Sequence, residues 1–317
     1  MNPDSRHRTE PRSSGMHPLP LRLVSGCLLA LAVAAQDPKS PATHDAAFWR
    51  RCLAREAVPP TAAEVPALLV ELTAMLASPD PEVRDDLAFS VLAKWLGRNG
   101  CVPVEQRRIL LANWQAGLCV GIGDTSADSV FRRSFSALCL SLLVAHHNQD
   151  AWLTRSEFDA LFDAILAYLR DERDVRGFVL PQGWCHSVAH TADVLKFLLR
   201  SEHLGPAQQK AALAAIAAKL ATTTEPLVHG EDDRLARAVL SLLARPDCDA
   251  EAVAAFLPEA WPRPGREAPT LAALAQQHNR RNLVLSLSAL LQADPRQSPS
   301  LATARAAVAA FVPTRLR

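Results

Sequence analysis

The sequence predicts an all-α protein on three observations: an alanine- and leucine-rich composition, little glycine, and helix start and stop signals that recur at short intervals. Of 317 residues, 49% are hydrophobic, only 5% are aromatic, and 12 are glycine. Alanine and leucine favour helices because they lose little conformational entropy there. Runs of β-branched and aromatic residues of strand length are rare, so a sheet protein is not expected.

The start and stop signals predict about a dozen helices joined by short loops. Capping boxes at Thr61–Glu64 and Thr154–Glu157 open two of them, and Asp80-Pro81 opens a third. The expected helices span residues 45–56, 61–76, 81–96, 104–118, 126–146, 154–169, 184–199, 206–220, 231–243, 250–257, 270–291 and 300–311.

Short loops make consecutive helices antiparallel neighbours. Helical hairpins recur at about 40 residues, the spacing of HEAT and armadillo units, although no residue-level repeat is visible. We therefore expect an irregular α-solenoid that forms a single domain over residues 44–317, in preference to a compact helical bundle.

The amino terminus has the layout of a secretory signal. Residues 1–22 are polar and basic, residues 23–34 form an apolar run too short to span a bilayer, and small residues follow at 32–35. We expect residues 1–35 to be a signal peptide, residues 36–43 to be a disordered lead-in, and the mature chain to be periplasmic or secreted without a transmembrane span. Translation from Met16 leaves this unchanged.

A lipoprotein is the alternative. Val24-Ser-Gly-Cys27 resembles a lipobox, which would make Cys27 a lipidated anchor. The apolar run follows Cys27 instead of preceding it, so this alternative is less favoured. Export would leave six cysteines, an even number that permits disulfides in an oxidising compartment. They include no CxxC pair, which argues against a zinc knuckle.

Charge balance excludes one large class of function. The formal net charge is +1, from 34 basic and 33 acidic residues. No basic stripe with interleaved aromatics is present, so we expect no nucleic-acid partner.

The segment from residue 184 to 199 carries the most informative polar pattern. On a helix that turns about 100° per residue, His186, His190 and Asp193 share one face, opposite the main apolar stripe. Two imidazoles and a carboxylate at this spacing are candidate ligands for a divalent metal or a candidate acid–base group. Packing of both imidazoles beneath a neighbouring helix is the alternative.

A second polar cluster opens the helix at 231–243. Glu231 and Asp232 flank its apolar stripe, where they would either face the His186 segment or simply favour the helix dipole. We take Asp232 as a candidate catalytic residue beside the His–His–Asp trio. The candidate ligand-binding residues are Trp184, Arg133, Arg176, Glu231 and Arg234. Arg133 is expected to pair with Asp193 or Glu231, or to be a solvated charge.

These motifs together resemble the bacterial domain-of-unknown-function family 2785 (DUF2785). The resemblance rests on Arg176-Gly-Phe, Gly183-Trp-x-His186-x3-His190-x2-Asp193 and Glu231-Asp-x-Arg234-Leu, with Arg84-Asp-Asp, Arg133-Ser-Phe and Arg281-Asn-Leu in support. It extends over roughly residues 44–291. It implies an all-helical fold and brings no established activity.

A second likeness is narrower. The spacing of His186, His190 and Asp193 is similar to the first metal-binding histidines of cyclic-nucleotide phosphodiesterases. Those enzymes also need a downstream His-Asp pair, whereas the His-Asp pair here, His44-Asp45, lies upstream. Half of the expected metal set is therefore missing.

Two functions follow as hypotheses. The favoured one is a helical binding or scaffold protein that grips an unknown ligand or envelope protein with the polar residues named above. The alternative is a hydrolase that uses the same residues with a metal ion or as acid and base. The absence of a nucleophile elbow and of a P-loop in the sequence favours the binding protein.

Overall fold

The computed structural model describes residues 44–59, 61–97, 101–263, 265 and 268–316. These ranges contain twelve α-helices, one π-helical segment and one two-stranded antiparallel sheet. The all-α prediction is therefore confirmed. The predicted signal peptide and lead-in lie outside the described residues. Within the described ranges, every helix is too short or too polar to cross a lipid bilayer.

The elements follow one another with short connections. A π-helical segment, Glu82–Phe89, continues directly into the α-helix that begins at Ser90. The others are, in chain order, α1 (Ala46–Ala54), α2 (Val65–Met75), α3 (Ser90–Gly97), α4 (Val104–Gly117), α5 (Ser129–His147), α6 (Arg155–Asp171), β1 (Phe178–Val179), β2 (Gly183–Trp184), α7 (Ser187–Leu198), α8 (Pro206–Thr222), α9 (Glu231–Leu243), α10 (Ala250–Ala260), α11 (Leu271–Ala293) and α12 (Pro299–Leu316).

The helices pack in two series. The odd-numbered helices α3, α5, α7, α9 and α11 contact one another in that order, and α6, α8, α10 and α12 form a second series. Loop connections join neighbours across the two series, as between α6 and α7 or α11 and α12. Helical hairpins stacked side by side produce contacts of this kind. The finer assignment to a HEAT- or armadillo-like solenoid stays a prediction.

Helix α7 lies in the middle of the odd-numbered series, between α5 and α9. Nine of its residues are buried, including the polar Ser187, His190 and Thr191. The expectation that its histidine face lies away from the packed surface is therefore wrong for His190. With a neighbour on each side, α7 holds its side chains in fixed positions.

Polar side chains at the helix starts explain several boundaries. Thr154 forms the predicted capping box: its hydroxyl accepts from Glu157 N, and Glu157 Oε2 accepts from Thr154 N. The capping box predicted at Thr61 is wrong. Helix α2 begins at Val65, and the Thr61 hydroxyl donates to the Glu64 carboxylate instead of capping the backbone.

Candidate functional site

The predicted site residues come from two neighbouring segments. Trp184 lies on β2, His186 directly precedes α7, and His190 and Asp193 lie on α7. Glu231 and Arg234 lie in the first turns of α9, which packs against α7. The structure thus brings the two motif segments together.

His186 does not lie on the helix, as the sequence pattern predicted. It is the residue before α7 and has a left-handed backbone, with φ of 48°. Cys185 N donates to Gly177 O at 2.8 Å and His186 N to Arg176 O at 3.0 Å, which prolongs the pairing of the β1–β2 hairpin. The helix begins only after this pairing ends. A left-handed conformation at a residue other than glycine is strained and is typical of functional sites.

Four aromatic rings meet at this point. Trp184 stacks on His186 with ring centroids 4.2 Å apart, and the His190 ring stands nearly perpendicular to His186 at 5.7 Å. His229, in the loop before α9, lies edge-on to Trp184 at 5.8 Å. We call Trp184, His186, His190, His229 and the nearby Glu231 the imidazole cluster.

Ser134 on α5 fixes the tautomer of the buried His190 ring. Its hydroxyl contacts His190 Nδ1 at 2.7 Å and donates a short hydrogen bond to Cys185 O. Because the one hydroxyl proton is used in that bond, Ser134 accepts from His190 Nδ1–H. The neutral His190 ring therefore has its lone pair on Nε2. The sequence motif Arg133-Ser-Phe contained Ser134 but gave no reason to assign it this role.

The imidazoles of His186 and His190 are both held in the neutral form. Burial, with smaller contributions from the charge of Arg234 and from His229, lowers the pKa of His186 to about 4. Burial also lowers the pKa of His190 well below its ordinary value, with the neighbouring His186 and Arg234 acting in the same direction. At neutral pH these rings offer one donor and one acceptor each and carry no charge.

One nitrogen of the cluster lacks a partner. His186 is 5% exposed, and its Nε2 makes no hydrogen bond among the described residues. Glu231, 1% exposed, places Oε1 4.0 Å from that nitrogen, too far for a hydrogen bond. Its other oxygen accepts from His229 N at 2.8 Å. Buried polar atoms are nearly always paired, so an unpaired one next to a carboxylate marks a place for a further group.

Asp193 does not join the histidines as predicted. Its carboxylate forms a close ion pair with Arg234 Nη1 and lies 3.4 Å from Lys196 Nζ. Two cations thus engage the carboxylate that was expected to complete a metal site. In the described part of the chain, no three His, Cys, Asp or Glu side chains are arranged to hold one metal ion. The residues His186, His190 and Asp193 do not fit a resident divalent metal in this arrangement.

Two further candidates, Asp232 and Arg176, are engaged elsewhere in the protein. Asp232 Oδ2 accepts from Ser286 on α11 at 2.7 Å and so ties α9 to α11. Arg176 forms an ion pair with the buried Asp174 and donates to Ala127 O. These contacts hold loops and helices in place, because each side chain is engaged by the protein itself.

Arg133 pairs with neither Asp193 nor Glu231, and it is not solvated. It is fully buried and donates to both oxygens of the buried Glu172, at 2.6 and 3.0 Å. It also donates to the carbonyls of Val120, Gly121 and Asp124. The planar guanidinium satisfies several acceptors of one loop at once, which explains an arginine at this buried position.

Cys185, next to His186 in the sequence, is not an activated thiol. Cys185 is fully buried, and burial raises its pKa to about 11. A thiolate is therefore disfavoured next to His186.

The outer rim of the cluster is apolar, which sequence reasoning missed. Leu180, at the tip of the β1–β2 hairpin, is 80% exposed, and Trp184 is 39% exposed. Phe178 and Val228 are also exposed, and Phe178 contacts Trp184 edge-on at 4.8 Å. The only sequence signal was the apolar run Phe178-Val-Leu-Pro in an otherwise polar loop. Clustered exposed apolar side chains above buried polar groups are typical of binding sites.

Gly177 allows the loop before α9 to approach the hairpin. A Cβ atom at this position would lie 2.1 Å from His229 Nδ1. Only glycine leaves room for the imidazole where it stands.

Comparison with known proteins gives one match. A family model described as "Protein of unknown function (DUF2785)" matches residues 118–289, more than half of the chain. The matched range contains all four rings of the imidazole cluster and Glu231, and it begins after Arg84. No curated protein and no solved structure matches.

Proposed function

We propose that this chain, a member of the DUF2785 family, is an exported binding protein that holds an uncharged, hydroxyl-rich ring, such as a sugar, against Trp184. The observation that carries the proposal is the half-exposed Trp184 indole, which stacks on a buried imidazole whose Nε2 has no partner. An indole offers a flat apolar face to a ring, and the groups beneath it offer hydrogen bonds.

Charge at the site supports an uncharged ligand. Arg234 and Lys196 engage the Asp193 carboxylate, and the Glu231 carboxylate lies beside His186, so two positive side chains stand with two negative ones. The imidazoles of His186 and His190 are neutral, as their lowered pKa values require. Such a surface offers donors and acceptors in similar number without a strong net field.

The space between His186 and Glu231 in the imidazole cluster supports a hydroxyl as the group that is recognised. His186 Nε2 and Glu231 Oε1 are 4.0 Å apart, so one oxygen atom can lie at hydrogen-bond distance from both. A hydroxyl donates to one neighbour and accepts from another.

The hydrolase alternative has less support. Its metal set lacks Asp193, which Arg234 and Lys196 engage, and Ser134 is fully buried with its hydroxyl proton donated to Cys185 O. An acid–base pair working near neutral pH needs groups that titrate there, whereas His186 and His190 have lowered pKa values.

Binding of neutral oligosaccharides tests the proposal. We expect the purified chain to bind members of an oligosaccharide array. Calorimetry with the best of them should show a loss of about fivefold in affinity for Trp184→Ala, because a stacking contact is worth about 1 kcal/mol. Leu274→Ala is the control, since it removes an apolar side chain of similar exposure, 45%, on α11.

Two outcomes would contradict the proposal. One is an array without any bound oligosaccharide, and the other is an unchanged affinity in Trp184→Ala. Release of shorter sugars during incubation, detected by mass spectrometry, would instead favour the hydrolase.

A further inference from the structure

A second group of unpaired polar atoms lies away from the imidazole cluster, where α4 passes the end of α5. Arg107 on α4 is 5% exposed and His146 on α5 is 4% exposed. Arg107 Nε and Nη1 and His146 Nε2 are buried, and none of the three makes a hydrogen bond among the described residues. Leaving a buried donor unpaired is unfavourable, more so for a charged group. An acceptor is therefore expected here.

The unpaired nitrogens face a common point. Arg107 Nη1 and His146 Nε2 each lie 3.7 Å from the same atom, Asp150 Oδ2. Both distances allow an electrostatic attraction but are too long for hydrogen bonds. The charge of Arg107 also contributes, after burial, to the lowered pKa of His146, as expected for neighbouring groups. The position between them suits an oxygen that carries negative charge.

Asp150 does not fill that position. Its side chain is 71% exposed, in the turn that follows α5. Its backbone is fixed, because Asp150 N donates to His146 O at 2.9 Å. The carboxylate thus lies at the mouth of the site, in solvent, and not between the donors.

Other charges nearby are already paired. Arg108, the next residue on α4, binds the Glu157 carboxylate at 2.8 Å and donates to Trp152 O. His147 accepts from Leu153 N at 3.1 Å and faces into the packing between α5 and α6. Among the described residues at this position, Arg107 is therefore a cation without a close acceptor.

We propose that Arg107 and His146 form a binding site for a small oxyanion, a phosphate or sulfate group, and that Asp150 competes for the same donors. A guanidinium offers two parallel N–H groups that match two oxygens of a tetrahedral oxyanion. The imidazole Nε2–H supplies a third donor. When the anion binds, the Asp150 side chain turns fully into solvent.

Thermal unfolding with added inorganic phosphate tests this site. We expect a saturable rise in Tm with phosphate that sodium chloride at matched ionic strength does not give. Asp150→Asn should bind phosphate more tightly, by about fivefold, because a like charge near the anion is removed. Arg107→Gln should abolish the response, whereas Arg108→Gln, the matched neighbour, should keep it.

A second ligand distinguishes between a free oxyanion and one that is part of a larger molecule. Glycerol phosphate in place of inorganic phosphate shows whether the site takes a phosphate ester or only the free ion. Should Arg107→Gln fail to fold, His146→Asn removes one donor and should weaken the response of the otherwise intact protein.

The proposal is overturned by either of two results. In the first, neither the natural chain nor Asp150→Asn shows a phosphate response beyond that of chloride. In the second, Arg108→Gln loses the response together with Arg107→Gln, which would indicate a diffuse charge effect.

Discussion

Protonation of buried imidazoles links the stability of this fold to pH. The pKa of His186 is lowered to about 4 and that of His190 lies well below its ordinary value, mainly through burial. In the unfolded chain both groups titrate near about 6.5. Between those values the unfolded chain binds more protons than the folded one, so the folded state loses stability as pH falls.

We expect the free energy of unfolding to decrease from pH 7 to pH 4.5, by up to about 1.4 kcal/mol per pH unit for each such histidine. His186→Asn should make the dependence shallower, because asparagine accepts the left-handed backbone and does not titrate. Urea unfolding at a series of pH values measures it. His278→Asn, at an exposed position, should keep the full dependence, and an unchanged slope in His186→Asn would contradict the assignment.

For individual residues, the sequence did not predict which distant side chains pair with each other. The motif around Arg133 indicated a functional arginine, but its partner Glu172 is 39 residues away. Periodicity gives the direction of a side chain relative to its own helix, not the identity of the residue facing it. Asp193 and its partner Arg234 illustrate the same limit, since both were singled out but not as a pair.

At the scale of elements, local capping chemistry decides where helices begin. Thr154 and Glu157 form a reciprocal capping box, whereas the side chain of Thr61 donates to that of Glu64 and α2 begins without a side-chain cap. We expect Thr154→Ala to lower the free energy of unfolding by about 1 kcal/mol, because it leaves a backbone N–H of α6 unpaired. Thr61→Ala is the matched control and should have a much smaller effect. Equal losses in urea unfolding would show that the box contributes nothing specific.

Helix positions were predictable, but one decisive boundary was not. The expected helix at 231–243 agrees with α9 at both ends, because acidic residues and glycine mark its start. The expected start of α7 at Trp184 is wrong by three residues, since the β1–β2 hairpin holds Trp184 to His186 in other conformations. Two-residue strands leave no alternating pattern to detect. That small error had placed His186 on the helical face, which it does not share in the structure.

For the whole molecule, the outstanding prediction is export. Expression in a bacterium should yield a periplasmic or secreted chain whose first residue is near Gln36, as measured by intact mass and N-terminal sequencing. Leu29→Arg should block export by placing a charge in the apolar run, whereas Leu19→Arg, in the polar part, should not. A mature chain that begins at a lipid-modified Cys27 would instead establish the lipoprotein.

The close approach of Gly177 to His229 restricts how this architecture can diverge. With 2.1 Å between an added Cβ and the imidazole, no side chain at position 177 is compatible with the His229 ring where it now lies. A homologue with alanine at position 177 must therefore have a smaller or differently placed side chain at position 229. Otherwise the loop before α9 cannot pack as closely against the hairpin. The two positions should coevolve, although 52 residues separate them in the chain.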